Sequence, residues 1–167
     1  HRRYQEETPS IKAIPEEVLH QIYENFHLFP PPLERLFRLQ LALGCRIVEM
    51  LSLPRQCLKK EGSQWFLKRW VQKRKYWRFY RVHRSIAELV IEQQKFLDKQ
   101  LGELSEFNKL FCRLSVSAMD VKEILRAGAN RFDVEPVYFS TVLTYDSIWR
   151  WLEKFSRKAN LTDKQGR

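Results

Sequence analysis

The sequence runs to 167 residues, with 30 Lys and Arg against 20 Asp and Glu, 44% hydrophobic and 13% aromatic residues, and a formal charge of +10. That length suits one domain with a real core, and the aromatic content beside only 5 Gly and 7 Pro excludes a disordered or linker-like chain. No apolar run reaches the ~18 residues that span a bilayer, and His1-Arg2-Arg3-Tyr4 lacks the apolar core of a signal peptide, so the expectation is a soluble, cytoplasmic chain with no membrane partner.

In chain order, Pro15 to Phe29 reads as a helix. Pro15 suits the first turn, Glu16 and Glu17 complement the N-terminal dipole, and Val18, Leu19, Ile22 and Phe26 recur at helical spacing before the triplet Pro30-Pro31-Pro32 ends it. Leu33 to Leu43 is apolar around most of its circumference, which marks a central buried helix broken by Gly44. Arg46 to Leu53 resumes the helical pattern until Pro54. Gln64 to Gln72 and Trp77 to Val82 are rich in aromatic and β-branched residues around Lys73-Arg74-Lys75, the pattern of a β-hairpin whose turn lacks the Asn-Gly signature that would set its register.

Ser85 to Leu101 returns to helix, with Ile86, Leu89, Val90, Gln93, Leu97 and Leu101 on one stripe. A short amphipathic piece follows from Ala118 to Ala127, ended by Gly128, and Asn130 to Leu143 reads as loop with one short helix. Thr144 to Ala159 is the last helix, capped by Thr144 or Asp146, with Ile148, Trp149, Leu152 and Phe155 facing inward. The fold class expected is mainly α with a small β-hairpin or three-stranded sheet, that is α+β.

The cysteines Cys45, Cys57 and Cys112 form no CxxC pair, and His1, His20, His27 and His83 do not stand at zinc-ligand spacings around them. A reducing compartment is expected, with no metal and no cofactor. The His start and the polar Thr162 to Arg167 tail read as the limits of a piece of a longer chain.

The charge is not spread evenly. Between Arg55 and Arg84 stand eleven basic residues and the single acid Glu61, so this stretch holds the whole surplus of ten and the remainder is neutral at nineteen of each sign. The same stretch carries Trp65, Phe66, Trp70, Tyr76, Trp77, Phe79 and Tyr80. Basic residues interleaved with aromatics point to a polyanion, most simply nucleic acid. The plainer alternative is a solvated strand pair charged along its edges against aggregation, although a one-sign surplus of this size exceeds what edge protection needs.

The string Leu41-Ala42-Leu43-Gly44-Cys45-Arg46-Ile47-Val48-Glu49-Met50-Leu51-Ser52-Leu53 resembles the first signature of the tyrosine recombinase (phage integrase) family. There a hydrophobic helix ends in Thr-Gly-Leu-Arg or a variant, and a Glu follows three residues after the Arg. Cys45 stands where that family often has Leu. Trp70 to Lys75, followed by Arg81-Val82 and a helix from Ser85, is similar to the family's β-hairpin with its lysine, and Ala13 to Leu19 to the start of its catalytic domain. The likeness covers residues 13 to 101 well and the tail from Thr144 loosely.

The resemblance implies DNA strand cleavage and rejoining through a 3′-phosphotyrosine, on double-stranded DNA, in a synaptic tetramer at a bacterial nucleoid. A five-coordinate phosphodiester gathers charge on its non-bridging oxygens, and a planar guanidinium donates two hydrogen bonds to them, the role implied for Arg46. Glu49 would brace the local backbone or that guanidinium; the bland alternative is an exposed Arg46–Glu49 helix pair worth little. Lys73, or alternatively Lys75, takes the place of the lysine that protonates the leaving 5′ oxygen and reaches a minor-groove base edge. Lys68, Arg69, Arg74, Lys75, Arg78 and Arg81 are the expected DNA contacts.

The rest of the family's constellation is a His-x-x-Arg pair, a further His or Trp, and a late tyrosine nucleophile. No histidine here has Arg three residues later, and the last tyrosine, Tyr145, precedes the helix that should come before that pair, so Tyr138 and Tyr145 read as core or cap aromatics. The organisation expected is residues 1–12 as linker and 13–167 as part of a catalytic domain, with 55–84 as the basic hairpin region and 103–143 as an insertion. A non-catalytic DNA-binding module is the competing class. An RNA binder stacking bases on hairpin aromatics comes third, because Trp65, Trp70 and Trp77 more often pack across strands than serve as base platforms.

Overall fold

The computed structural model describes residues 16–115 and 136–159. The linker at 1–12 and the amphipathic piece at Ala118 to Ala127 lie outside the described residues, as does the side chain of Phe155. Helix α1 (Glu16–Glu24) runs into a 3-10 turn at Phe26–Leu28, and α2 follows at Pro31–Leu43. The proline triplet opens this second helix as well as separating it from the first. Pro31 and Pro32 occupy its first turn, where no helical N–H is needed, and the Pro30 carbonyl accepts the N–H groups of Leu33 and Glu34, both at 3.0 Å.

A short helix, α3 (Ile47–Leu51), leads to three antiparallel strands in sequence order: β1 (Leu58–Glu61), β2 (Gln64–Val71) and β3 (Tyr76–Val82). The hairpin is therefore one side of a three-stranded meander. β1 and β2 meet at a two-residue turn in which Gly62 takes a φ of 61°, the left-handed geometry such tight hairpins demand. Helix α4 (Arg84–Leu101) follows, its first turn capped by His83, whose Nδ1 accepts the Ser85 N–H at 3.1 Å.

Strands β4 (Cys112–Ser115) and β5 (Val137–Val142) pair as a separate antiparallel sheet, and α5 (Tyr145–Ala159) closes the described chain. The expected loop over Asn130 to Leu143 is corrected here. Val137 to Val142 is rich in β-branched and aromatic residues that suit a strand, and Pro136 stands just ahead of it, where it breaks no ladder bond. A second correction concerns α5. Trp149 is 59% exposed, and Trp151 is the buried one. At about 100° per residue Trp151 and Leu152 flank the direction of the buried Ile148, whereas Trp149 points well away from it.

The core gathers Leu33, Leu36 and Leu39 of α2, Leu67 of β2, Val90 of α4, Leu114 of β4, and Ile148 and Trp151 of α5. Gln93, fully buried on α4, accepts from Arg35 Nε at 2.8 Å and donates to the Leu110 carbonyl at 3.0 Å, tying α2 and the approach to β4 onto one side chain. Arg55 is 5% exposed and closes the other end: it reaches Asp98 at 2.7 Å and the carbonyls of Gly102 and Phe107 at 3.0 and 3.2 Å. One member of the basic stretch is thus structural, holding the segment after α4 against the start of the sheet.

Candidate nucleic-acid interface

Helix α2 ends at Gly44, whose φ of 63° and ψ of 30° turn the chain sharply without a side-chain penalty. Behind that turn Cys45 drops into the core and Arg46 emerges exposed. Cys45 keeps the wall apolar at this point. Burial pushes its thiol up, against the opposing pull of the Arg69 guanidinium. Arg46 caps α3 in extended backbone, φ −75° and ψ 153°, and its carbonyl accepts the Met50 N–H at 3.1 Å.

Glu49 is committed elsewhere than to the Arg46 side chain. One carboxylate oxygen accepts the Arg46 backbone N–H at 3.4 Å, and the other lies 3.5 Å from Arg69 Nη2 on β2. The exposed Arg46–Glu49 helix pair does not form, and the Arg46 guanidinium makes no hydrogen bond or ion pair with a described residue. Arg69 and Glu49 are 17% and 20% exposed, so their pairing is far better shielded than an ordinary surface pair.

Strand register then sorts the remaining cations. Leu67, fully buried, fixes the inward face of β2, and Arg69 two residues on shares it. Directly opposite Arg69 is Arg78 on β3, and both guanidinium carbons sit over the Tyr80 ring, at 4.8 and 5.0 Å from its centre. Two like charges across a strand pair repel; the ring and Glu49 offset that repulsion. Lys68 and Arg81 point to the opposite, outer face, with Lys59 from β1.

Lys73, Arg74 and Lys75 occupy a third place, the four-residue turn between the paired Val71 and Tyr76. The Val71 carbonyl accepts the N–H groups of Arg74 at 3.2 Å and Lys75 at 2.7 Å. Lys75 takes a φ of 54°, the one non-glycine residue in the left-handed region among the described residues. All three side chains are exposed. The turn begins about 10 Å along β2 from Arg69 at ordinary strand rise, and among the described residues no hydrogen bond or ion pair links it to the Arg46 loop.

The six expected DNA contacts therefore form no single patch. Arg74 and Lys75 are on the turn, and Lys68 and Arg81 on the outer face. Arg69 is turned inward and held by Glu49 and Tyr80, because its register places it beside Leu67. Arg78 shares that face, exposed toward the turn. The partnership of Arg69 with Glu49 escaped sequence reasoning; period-two alternation from Leu67 signals only that Arg69 faces inward. No protein-family model, no curated protein and no solved structure matches this chain. What it does has to follow from its own residues.

Proposed function

We propose that this chain carries the phosphate-binding arginine and the basic hairpin of a tyrosine-type, site-specific DNA recombinase. The observation that carries the reading is the Arg46 guanidinium: exposed at the cap of α3, beside a carboxylate that is already spent on Arg69 and on the Arg46 backbone. A fixed backbone with an uncommitted planar fork suits bidentate contact with two phosphate oxygens, and it favours them most when charge builds on them. The turn supplies Lys73 or Lys75 as the proton donor and minor-groove contact, with Arg74 on the backbone of double-stranded DNA. Neither a His-x-x-Arg pair nor a later tyrosine occurs within the sequence. The 167 residues alone should therefore bind DNA without cutting it. Synaptic tetramers at the nucleoid belong to the same proposal.

The test uses the complete gene product. Arg46→Ala is expected to abolish strand cleavage while duplex affinity stays within about threefold, since one phosphate contact contributes little to the total. Arg46→Lys should recover little, because a point charge does not replace the fork. Cleavage by Arg46→Ala at the normal rate would remove Arg46 from the chemistry. The second reading, a non-catalytic DNA-binding module, rests on the basic residues of the sheet and turn alone, and would be chosen if the complete gene product binds duplex DNA but never attaches to it covalently.

A further inference from the structure

The outer face of the three-stranded sheet has no part in the strand-cleavage proposal, and its composition is unusual. Register places Phe66, Lys68 and Trp70 of β2, Trp77, Phe79 and Arg81 of β3, and Lys59 of β1 on this side. The inner side is sealed at Leu67, whereas here Trp77 is 40% and Phe79 47% exposed. Each ring has a cation lying over it: Lys68 Nζ is 5.4 Å from the centre of Trp77, and Lys59 Nζ 5.3 Å from that of Phe79. Trp70 meets Trp77 edge to face at 5.3 Å, which holds the outer tryptophan in place. The only acid in this stretch, Glu61, is paired with Lys59 at 2.7 Å.

We infer that this outer face is a binding platform for single-stranded DNA, separate from the turn that meets the duplex. Charge complementarity selects a polyanion, and the partly exposed rings select the form of it, their faces opening as Lys68 and Lys59 swing from the rings to passing phosphates. A duplex offers edges and phosphates, with its base faces hidden in the stack; only unpaired bases present a face for Trp77 and Phe79 to cover. Side chains on one face of a strand repeat at about 6.8 Å, twice the roughly 3.4 Å rise per nucleotide along one strand of a duplex. Bases spread over neighbouring rings match the wider repeat. Lys59, Lys68 and Arg81 then lie where the phosphates between those bases pass. Edge protection accounts for the charges but not for the rings, since large exposed aromatics promote the aggregation that edge charges prevent.

This inference goes beyond the proposed reading and stands without Arg46. The experiment measures affinity of the 167-residue chain for a fluorescein-labelled oligothymidine and for a labelled hairpin duplex, across salt concentrations. Leucine keeps apolar bulk but has no π-face, so the double variant Trp77→Leu with Phe79→Leu should weaken oligothymidine binding by about tenfold or more and leave duplex binding unchanged. Tyr76→Leu, a comparably exposed ring at the inner side, should change oligothymidine binding little. Should the double variant fail to fold by circular dichroism, Lys59→Gln with Lys68→Gln reads the same face: its salt slope on oligothymidine should fall by about 1.4 for two lost phosphate contacts. Equal losses on single strand and duplex, no loss on either, an unchanged salt slope, or tighter binding to the matching oligouridine than to oligothymidine would each overturn the assignment. None of these outcomes bears on cleavage by Arg46→Ala, so the two proposals fail separately.

Discussion

The two faces of the sheet are built from the same residue types and do opposite things with them. On the inner face Arg69 is enclosed by Glu49, Tyr80 and the Cys45 thiol, and its charge is spent on holding β2 against the α3 loop. On the outer face Lys59 and Lys68 lie over Phe79 and Trp77 with their rings partly in solvent. A one-residue step along β2, from Lys68 to Arg69, separates the two roles, because alternate side chains of a strand point to opposite sides. A cluster of positive charge in a sequence is therefore not one surface. Here it divides into a buried tie at Arg55, an inner brace at Arg69, a turn and an outer face.

The contrast is broken most sharply by removing one cation from each side. Arg69→Met should cost about 2 kcal/mol, since Glu49 is then left poorly solvated and unpaired, whereas Lys68→Met should stay within about 0.5 kcal/mol. A double-mutant cycle of Arg69→Met with Glu49→Gln, read by urea melts, should give a coupling of about 1 kcal/mol or more. Equal costs for Lys68 and Arg69 would mean that the register argument has misplaced the brace.

The sealed side also predicts a pH dependence. Burial pushes the Cys57 thiol from 9.0 up to about 12 and the Cys112 thiol up to about 11. Below the unfolded value both states hold the proton and nothing is lost. Above it the unfolded chain gives up the proton first, so stability falls between pH 9 and the folded values. The expected loss is about 1.4 kcal/mol per thiol at pH 10, seen as a drop in urea midpoint that Cys57→Ala and Cys112→Ala each make shallower. A flat profile from pH 8 to 10.5 would contradict it.

The smallest effect separates backbone from amine in the turn. Lys75→Gly should raise stability by up to about 1 kcal/mol by relieving its left-handed backbone, while lowering duplex affinity through loss of one cation. Lys73→Ala should lower affinity without the gain in thermal midpoint. If Lys75→Gly loses stability, the turn depends on contacts of that side chain and not on its backbone geometry.

Helices α2 and α4 were legible because each buries a stripe that repeats at helical period, as Leu33, Leu36 and Leu39 do in one and Val90, Gln93 and Leu97 in the other. β1 was not, because Leu58-Lys59-Lys60-Glu61 is short and polar, and the Gly62-Ser63 turn was its one local signal. β5 was hidden for a different reason: its partner β4 lies more than twenty residues earlier, and such pairing leaves no local periodicity. The helix break at Gly44 and the exposed cap at Arg46 could be read from Gly44 standing two residues ahead of Arg46 in sequence. The true partner of Glu49 could not, since Arg69 is twenty residues away on a strand whose register no turn motif announced.

Glu49 pairs with Arg69 and not with the Arg46 guanidinium, which on the proposed reading leaves Arg46 for phosphate. Side-chain Nε–Hε correlations of ¹⁵N-labelled protein test it directly, with the two arginine signals assigned through Arg46→Lys and Arg69→Lys and followed as duplex DNA is added. The account predicts that the Arg46 signal shifts and sharpens on titration while the Arg69 signal stays where it was in the free protein. A shift at Arg69 with Arg46 unmoved would contradict it.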